Sequence, residues 1–183
     1  MTTNSVWKSD GTSVGTVKVS DARNAINLTV MSDGSLYYVA SNELHYYDGT
    51  TDRVISPAST LSQITRLVPV DTQLYFIAYS SGIGSELWTS DGTDDGTILV
   101  KDLRVGSASG FDSNSRLFNV NGTLVLSDYR DTLYVSDGTD AGTVQLMTDE
   151  ATPRAVRAYN SYINQSGTSD VYLTNSVDSY RLW

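Results

Sequence analysis

One triplet, Asp-Gly-Thr, recurs along the chain at nearly even spacing, and this recurrence limits the possible folds more than any single residue does. The triplets start at Asp10, Asp48, Asp91 and Asp137, in steps of 38, 43 and 46 residues. Three residues before each Asp stands a ring: Trp7, His45, Trp88 and Tyr134. The closing Arg181-Leu182-Trp183 reads as the opening of a fifth repeat, so all three tryptophans take the same repeat position. A period of roughly 20 to 50 residues is the mark of a repeat architecture. The reading divides the single domain, 1–183, into repeats of about 6–41, 42–85, 86–130 and 131–177, with a partial fifth at 178–183.

Between the triplets, short apolar-alternating runs are bounded by Gly, Asn and Asp, the pattern of half-buried strands. Strands are expected at 16–19, 27–31, 35–40, 43–47, 53–55, 64–70, 73–79, 86–90, 98–102, 115–120, 123–127, 132–136, 144–147, 156–163 and 171–174. Hairpin turns are expected at Asp33-Gly34, Asp71-Thr72 and Asn121-Gly122, and Asp-Gly in a two-residue turn needs positive φ at both residues. No stretch carries a 3.6-residue apolar period over three turns, and β-branched residues and Tyr dominate. About four antiparallel strands per repeat is the arithmetic of β-propeller-like blades. A β-sandwich of irregular strands leaves the recurring ring unexplained. The recurring rings are expected to pack between neighbouring sheets.

The third repeat, Glu86 to Leu103, reads ELWTSDGTDDGTILVKDL. It resembles the repeat of the bacterial ELWxxDGT family; the first and fourth keep SDGTxxGT without the Glu, and the second keeps only DGT. The resemblance implies propeller-like modules in large surface or secreted proteins. It carries over no catalytic or binding residue.

Composition narrows the function classes. The formal charge is −9, with three lysines and nine scattered arginines, which argues against a phosphate-binding surface and hence against a nucleic-acid partner. The acidity comes from 18 Asp against three Glu, a turn-rich bias because Asp side chains bond nearby backbone N–H groups. No apolar run is long enough to insert in a membrane as a helix. The opening MTTNSVWKSDG does not read as a signal peptide; the expectation is either the mature part of an exported protein or one exposed without secretion. There is no cysteine.

Candidate chemistry is sparse. His45 is the only histidine and stands in a ring's place, which favours packing over catalysis. Asp91, Thr93, Asp95, Gly96 and Asp102 have a calcium-loop-like spacing. However, Val14 and Ala141 stand where Asp95 does, and Thr148 where Asp102 does, so a side-chain-bonded turn is expected and no metal or other cofactor. Ser81-Gly82-Ile83-Gly84-Ser85 does not lead from a strand into a helix, so it reads as a loop rather than a phosphate cradle. The tyrosines, twelve in all, read mainly as core, with a minority for contact surfaces. Asn27, Asn121 and Asn164 begin glycosylation triplets to which no function is attached.

The expectation is a non-enzymatic structural or adhesion-type module, extracellular or on a cell surface, with no catalytic residues and a protein or glycan partner. Head-to-tail self-association through the terminal strands is the further partner expectation. The alternatives are a virion tail, fibre or decoration component, and a carbohydrate-active enzyme using carboxylates at the blade centre.

Overall fold

The computed structural model describes residues 5–147 and two short strands at 164–165 and 171–172. Among the described residues every regular element is a strand. A two-stranded sheet, β1 (Val6–Lys8) and β2 (Val17–Ser20), comes first. The second sheet holds β3 (Ile26–Val30), β4 (Leu36–Ala40), β5 (Glu43–Tyr47) and β6 (Asp52–Ile55). The third holds β7 (Leu61–Val70), β8 (Gln73–Ser80), β9 (Gly84–Ser90) and β10 (Ile98–Lys101). The fourth holds β11 (Arg116–Val120), β12 (Thr123–Ser127), β13 (Leu133–Ser136) and β14 (Val144–Gln145). Finally β15 (Asn164–Gln165) pairs with β16 (Val171–Tyr172). Every pairing is antiparallel, and the four-stranded sheets are simple meanders. The fold is all-β and blade-like, as the repeat arithmetic requires. Among the described residues no helix is long and apolar enough to cross a membrane.

The sheets are out of phase with the sequence repeats. A repeat counted from its ring contributes its first two strands to one sheet and its last two to the next. Ala40 and Glu43 face each other across only Ser41 and Asn42, both at positive φ, so β4 and β5 stay in one sheet. Residues 56–60, by contrast, carry the chain from β6 to β7 in the following sheet. The expected strand at 156–163, and the ring Trp183, lie outside the described residues.

Turn chemistry fixes the register. Val120 pairs with Thr123 across Asn121 and Gly122, both at positive φ. Asp71 likewise has φ 51° between β7 and β8. The Asp33-Gly34 expectation is corrected: only Gly34 has positive φ, and the loop is wider, closed by the Met31 N–H to the Ser35 carbonyl. There Asp33 accepts bonds from the Ser35 N–H and hydroxyl, so a side chain does the work of a second positive-φ residue. In β3 and β7 the register slips at matching places, with Asn27 and Arg66 both at positive φ.

Alternation along the strands sends successive side chains to opposite faces, and the inner faces meet neighbouring sheets. Val6, Tyr38 and Ala40 pack between the first and second sheets. Tyr37, Val39, Leu74, Phe76 and Trp88 pack between the second and third; Tyr75, Ile77, Leu124, Leu126 and Tyr134 between the third and fourth. The first strands of successive sheets, β3, β7 and β11, adjoin one another. The ring position always faces the preceding sheet. Trp88 is 2% exposed there, with Nε1 donating to the Ala78 carbonyl at 3.2 Å. His45 stacks on Tyr38 at 4.7 Å. Trp7 departs from the expectation that every ring packs between sheets: it is 58% exposed, because no described sheet precedes the first.

Candidate functional site

The recurring SDGTxxGT loops are the most distinctive polar feature of the chain, and each is a closed set of hydrogen bonds. In the third repeat, Asp91 Oδ1 accepts from the Thr93 N–H at 2.8 Å and its hydroxyl at 2.7 Å. Thr93 Oγ1 in turn accepts from the Gly96 N–H, and the Thr97 hydroxyl donates to the Thr93 carbonyl. Ser90 Oγ accepts from the Gly92 N–H and bonds Thr97 Oγ1. The same bonds recur at Asp10-Thr12-Gly15-Thr16 and at Asp137-Thr139-Gly142-Thr143. A side chain at Gly15, Gly96 or Gly142 would collide with the carboxylate of its loop, which explains the second glycine of the motif. The shorter second loop is closed by the Thr51 N–H on Asp48 Oδ1 instead.

These bonds stabilise the ionised form. Hydrogen bonds from Thr93 hold Asp91 below the usual carboxylate range, as those from Thr12 do for Asp10 and those from Thr139 for Asp137. Asp48 is lowered to about 2, chiefly by the Thr50 hydroxyl.

The loops also join sheets. Tyr46 in the second sheet lies on Gly92 in the third, and Tyr75 in the third lies on Gly138 in the fourth. At one further position, the end of a sheet's last strand reaches the next sheet: the Ser20 hydroxyl bonds Asp52 at the start of β6 at 2.6 Å, the Ser56 N–H just past β6 bonds the loop residue Asp94 at 2.9 Å, and Lys101 Nζ bonds the carbonyl of the loop residue Asp140 at 2.7 Å.

A cleft of about 360 Å³ between the third and fourth sheets is lined by Tyr75, Thr89, Asp91 and Asp137. It is the place where two loop carboxylates converge. Glycoside hydrolysis by paired carboxylates needs one acid of raised pKa, and both of these are lowered.

Among the described residues Glu86 is the one carboxyl group raised towards neutrality, pushed up to about 7 by burial, while the Leu103 and Gly110 N–H groups pull it back. Its oxygens accept from those two N–H groups at 2.9 and 2.5 Å. The side chain is fully buried, so it pins the 103–110 loop to β9 and faces no cleft. Spacing alone could not single it out, because Glu43 also stands two residues before its ring, His45, and there the side chain is exposed.

Of the calcium-like set, Asp91 is committed to Thr93, and Asp102 turns to the Arg104 and Gly106 N–H groups. Among the described residues no three His, Asp or Glu side chains gather as a metal site.

His45 has a more specific setting than a plain ring replacement. Its Nδ1 is buried without a hydrogen bond, 3.5 Å from Asp52 Oδ2. Asp52 also accepts from the Tyr38 and Ser20 hydroxyls at 2.7 and 2.6 Å. Serine, aspartate and histidine thus meet, but Ser20 donates to Asp52 and not to the imidazole, so no base activates a nucleophile. Asp52 was not singled out in the sequence, because it becomes interesting only when β5 and β6 pair.

Ser81-Gly82-Ile83 forms the hairpin between β8 and β9. Asn27 and Asn121 lie exposed at positive-φ turn or bulge positions, and the side chain of Asn164 lies outside the described residues. In comparisons with known proteins, the chain matches no family model, no curated protein and no solved structure.

Proposed function

We propose that this chain is a non-enzymatic structural or adhesion-type repeat module, exposed outside a cell, of the kind built from ELWxxDGT repeats. One observation carries the reading: the polar side chains that recur in every repeat are spent on one another and on joining sheets. Asp91, Ser90, Thr93 and Thr97 bond within their loop, and their counterparts in the first and fourth repeats do the same. An active site leaves its reactive groups facing a cavity with tuned pKa values. Here the carboxylates that reach the cleft, Asp91 and Asp137, are held ionised, and the one with a raised pKa among the described residues, Glu86, is sealed inside. The partner is a protein or glycan met by the outer surface.

The test sets two assays side by side. Purified protein at substrate-level concentration is incubated with polysaccharides, and soluble products are measured. The same protein is then passed over immobilised glycans and extracellular proteins. The reading predicts no product above the protein-free blank and saturable retention on at least one surface. Product formation that Asp91→Asn or Asp137→Asn abolishes would replace it with an enzyme.

A further inference from the structure

The three internal sheet junctions are built to one plan, and the outer face of the first two sheets carries the same plan with no neighbouring sheet among the described residues. Pairing register makes Leu28, Leu67 and Leu117 equivalent, since each lies opposite or beside the matching residue of the next strand, Tyr38, Phe76 and Leu126. Leu117 is 6% exposed and Leu67 packs in the core between the second and third sheets, whereas Leu28 is 53% exposed. Of the equivalents of Trp7, His45 and Trp88 are buried and Tyr134 is half-buried, whereas Trp7 is exposed. Val30, on the same face as Leu28, is also exposed. The strands β5, β9 and β13 each have two partners, while among the described residues β1 is hydrogen-bonded to β2 alone. Among the described residues the first sheet therefore has only the outer half of a four-stranded sheet. The β15–β16 pair is a two-stranded unit with no bond to β1.

The hook position adds an independent sign. Ser20, Ser56 and Lys101 each bond the following sheet, Ser20 at the start of β6 and the other two at the loop residues Asp94 and Asp140. The fourth residue at this position is Met147, exposed and without a polar head. The loop residue matching Asp94 and Asp140 in the first repeat is Ser13, and beside it Val14 is fully open to solvent. Each of the two outward-facing ends thus has an exposed apolar side chain at or beside the hook, Met147 at one and Val14 at the other.

We infer that a second copy of this chain docks head-to-tail on the face formed by Trp7, Leu28 and Val30. Its β15–β16 hairpin adds the missing inner strands along the free edge of β1, and its Met147 packs against Val14. This continues the internal sheet-to-sheet junction across molecules, as a heterologous contact. It rests on the reading of the chain as a repeat module and supplies that module's partner.

The test uses the absence of cysteine. Lys8→Cys and Tyr172→Cys are made in separate, differently tagged full-length chains, mixed, and treated with a short bis-maleimide; the same pair is also placed in one chain at high dilution. Sedimentation of the parent and of Trp7→Lys and Leu28→Asp is followed over a range of concentrations. The inference predicts mixed-tag dimers, a parent mass that rises with concentration, and self-association weakened roughly tenfold or more by each substitution, about what one lost large apolar contact removes. Far-UV circular dichroism unchanged in both variants shows that they remain folded. Cross-linking only within the double-cysteine chain, with a monomeric mass throughout, overturns the inference in favour of self-closure. A monomer with no cross-link in either format overturns it outright. Retention on a glycan or protein surface by such a monomer leaves the adhesion reading standing, so the two can fail separately.

Discussion

The ring of Tyr46 in the second sheet rests on Gly92 in the third, so that a Cβ on Gly92 would come within 2.9 Å of the ring. Gly92 also has φ 90°, a conformation that a side chain strains. The triplet's glycine thus both makes its turn and admits a tyrosine from the preceding sheet. Gly138 and Tyr75 repeat the relationship one sheet later. Gly11, with a similar φ of 91°, has nothing within 4 Å, because no described sheet stands before its own.

Equivalent rings should differ in what their removal costs. Trp88→Ala empties a buried site and should destabilise the chain by about 3–5 kcal/mol. Trp7→Ala, measured by urea unfolding at a concentration too low for self-association, should cost within about 0.5 kcal/mol, as an exposed position does. Equal losses would mean that Trp7 is covered within a single chain.

Glu86 gives the stability a pH dependence of defined sign. Burial raises its pKa from 4.5 to about 7, so between these values the folded state holds a proton that the unfolded state has released. Its contribution is fully present below about 4.5 and falls as pH rises towards 7, by something on the order of 1–3 kcal/mol. Glu86→Gln, which cannot ionise, should lose this slope. The informative quantity is the difference between the two unfolding free energies from pH 4.5 to 8, which should shrink as pH rises if Gln costs less than a buried charge. A difference constant with pH would place Glu86 in water.

The loop aspartates act in the opposite sense. Their folded pKa values are lowered, so their contribution is present above the unfolded value near 3.8 and is lost on further acidification. Stability should therefore fall below pH 4 in parent and Glu86→Gln alike, as followed by thermal melts from pH 5 to 2.

Because each loop carboxylate already has its donors, chelation should not touch the fold. A melt with excess chelator, and another with millimolar calcium, should match the untreated protein to within about 1 °C, since a ligand that does not bind the native state cannot stabilise it. A midpoint raised by calcium would reveal a site at Asp91, Thr93 and Asp95.

Much of this architecture was legible from local patterns. The alternation in Glu43–Tyr47 and Thr123–Ser127 marks those strands to the residue, and Asn121-Gly122 marks its own turn. The phase of the sheets was harder to read. The repeat is most visible at the ring and the triplet, whereas the sheet boundary falls in the plain stretch 56–60; Ser41-Asn42 carries a two-residue turn without a glycine. The junction partners Tyr46 and Asp52 were hidden for another reason: each meets a loop or strand tens of residues away, or acquires its role only through pairing. The fate of Trp7 depends on what stands before it, which a repeat pattern alone does not state.

The central claim is that the Asp-Gly-Thr loops are joints between sheets, and a double-mutant cycle on Tyr46 and Gly92 tests it most directly. Gly92→Ala alone should suffer both the positive-φ strain and the collision with the ring, whereas Gly11→Ala should suffer the strain alone, about 1 kcal/mol. In a Tyr46→Ala background the collision disappears, so the two substitutions should couple by about 1 kcal/mol or more in urea unfolding. Losses that add to within about 0.5 kcal/mol, with Gly92→Ala no worse than Gly11→Ala, would contradict the claim and leave the triplet as a turn that joins nothing.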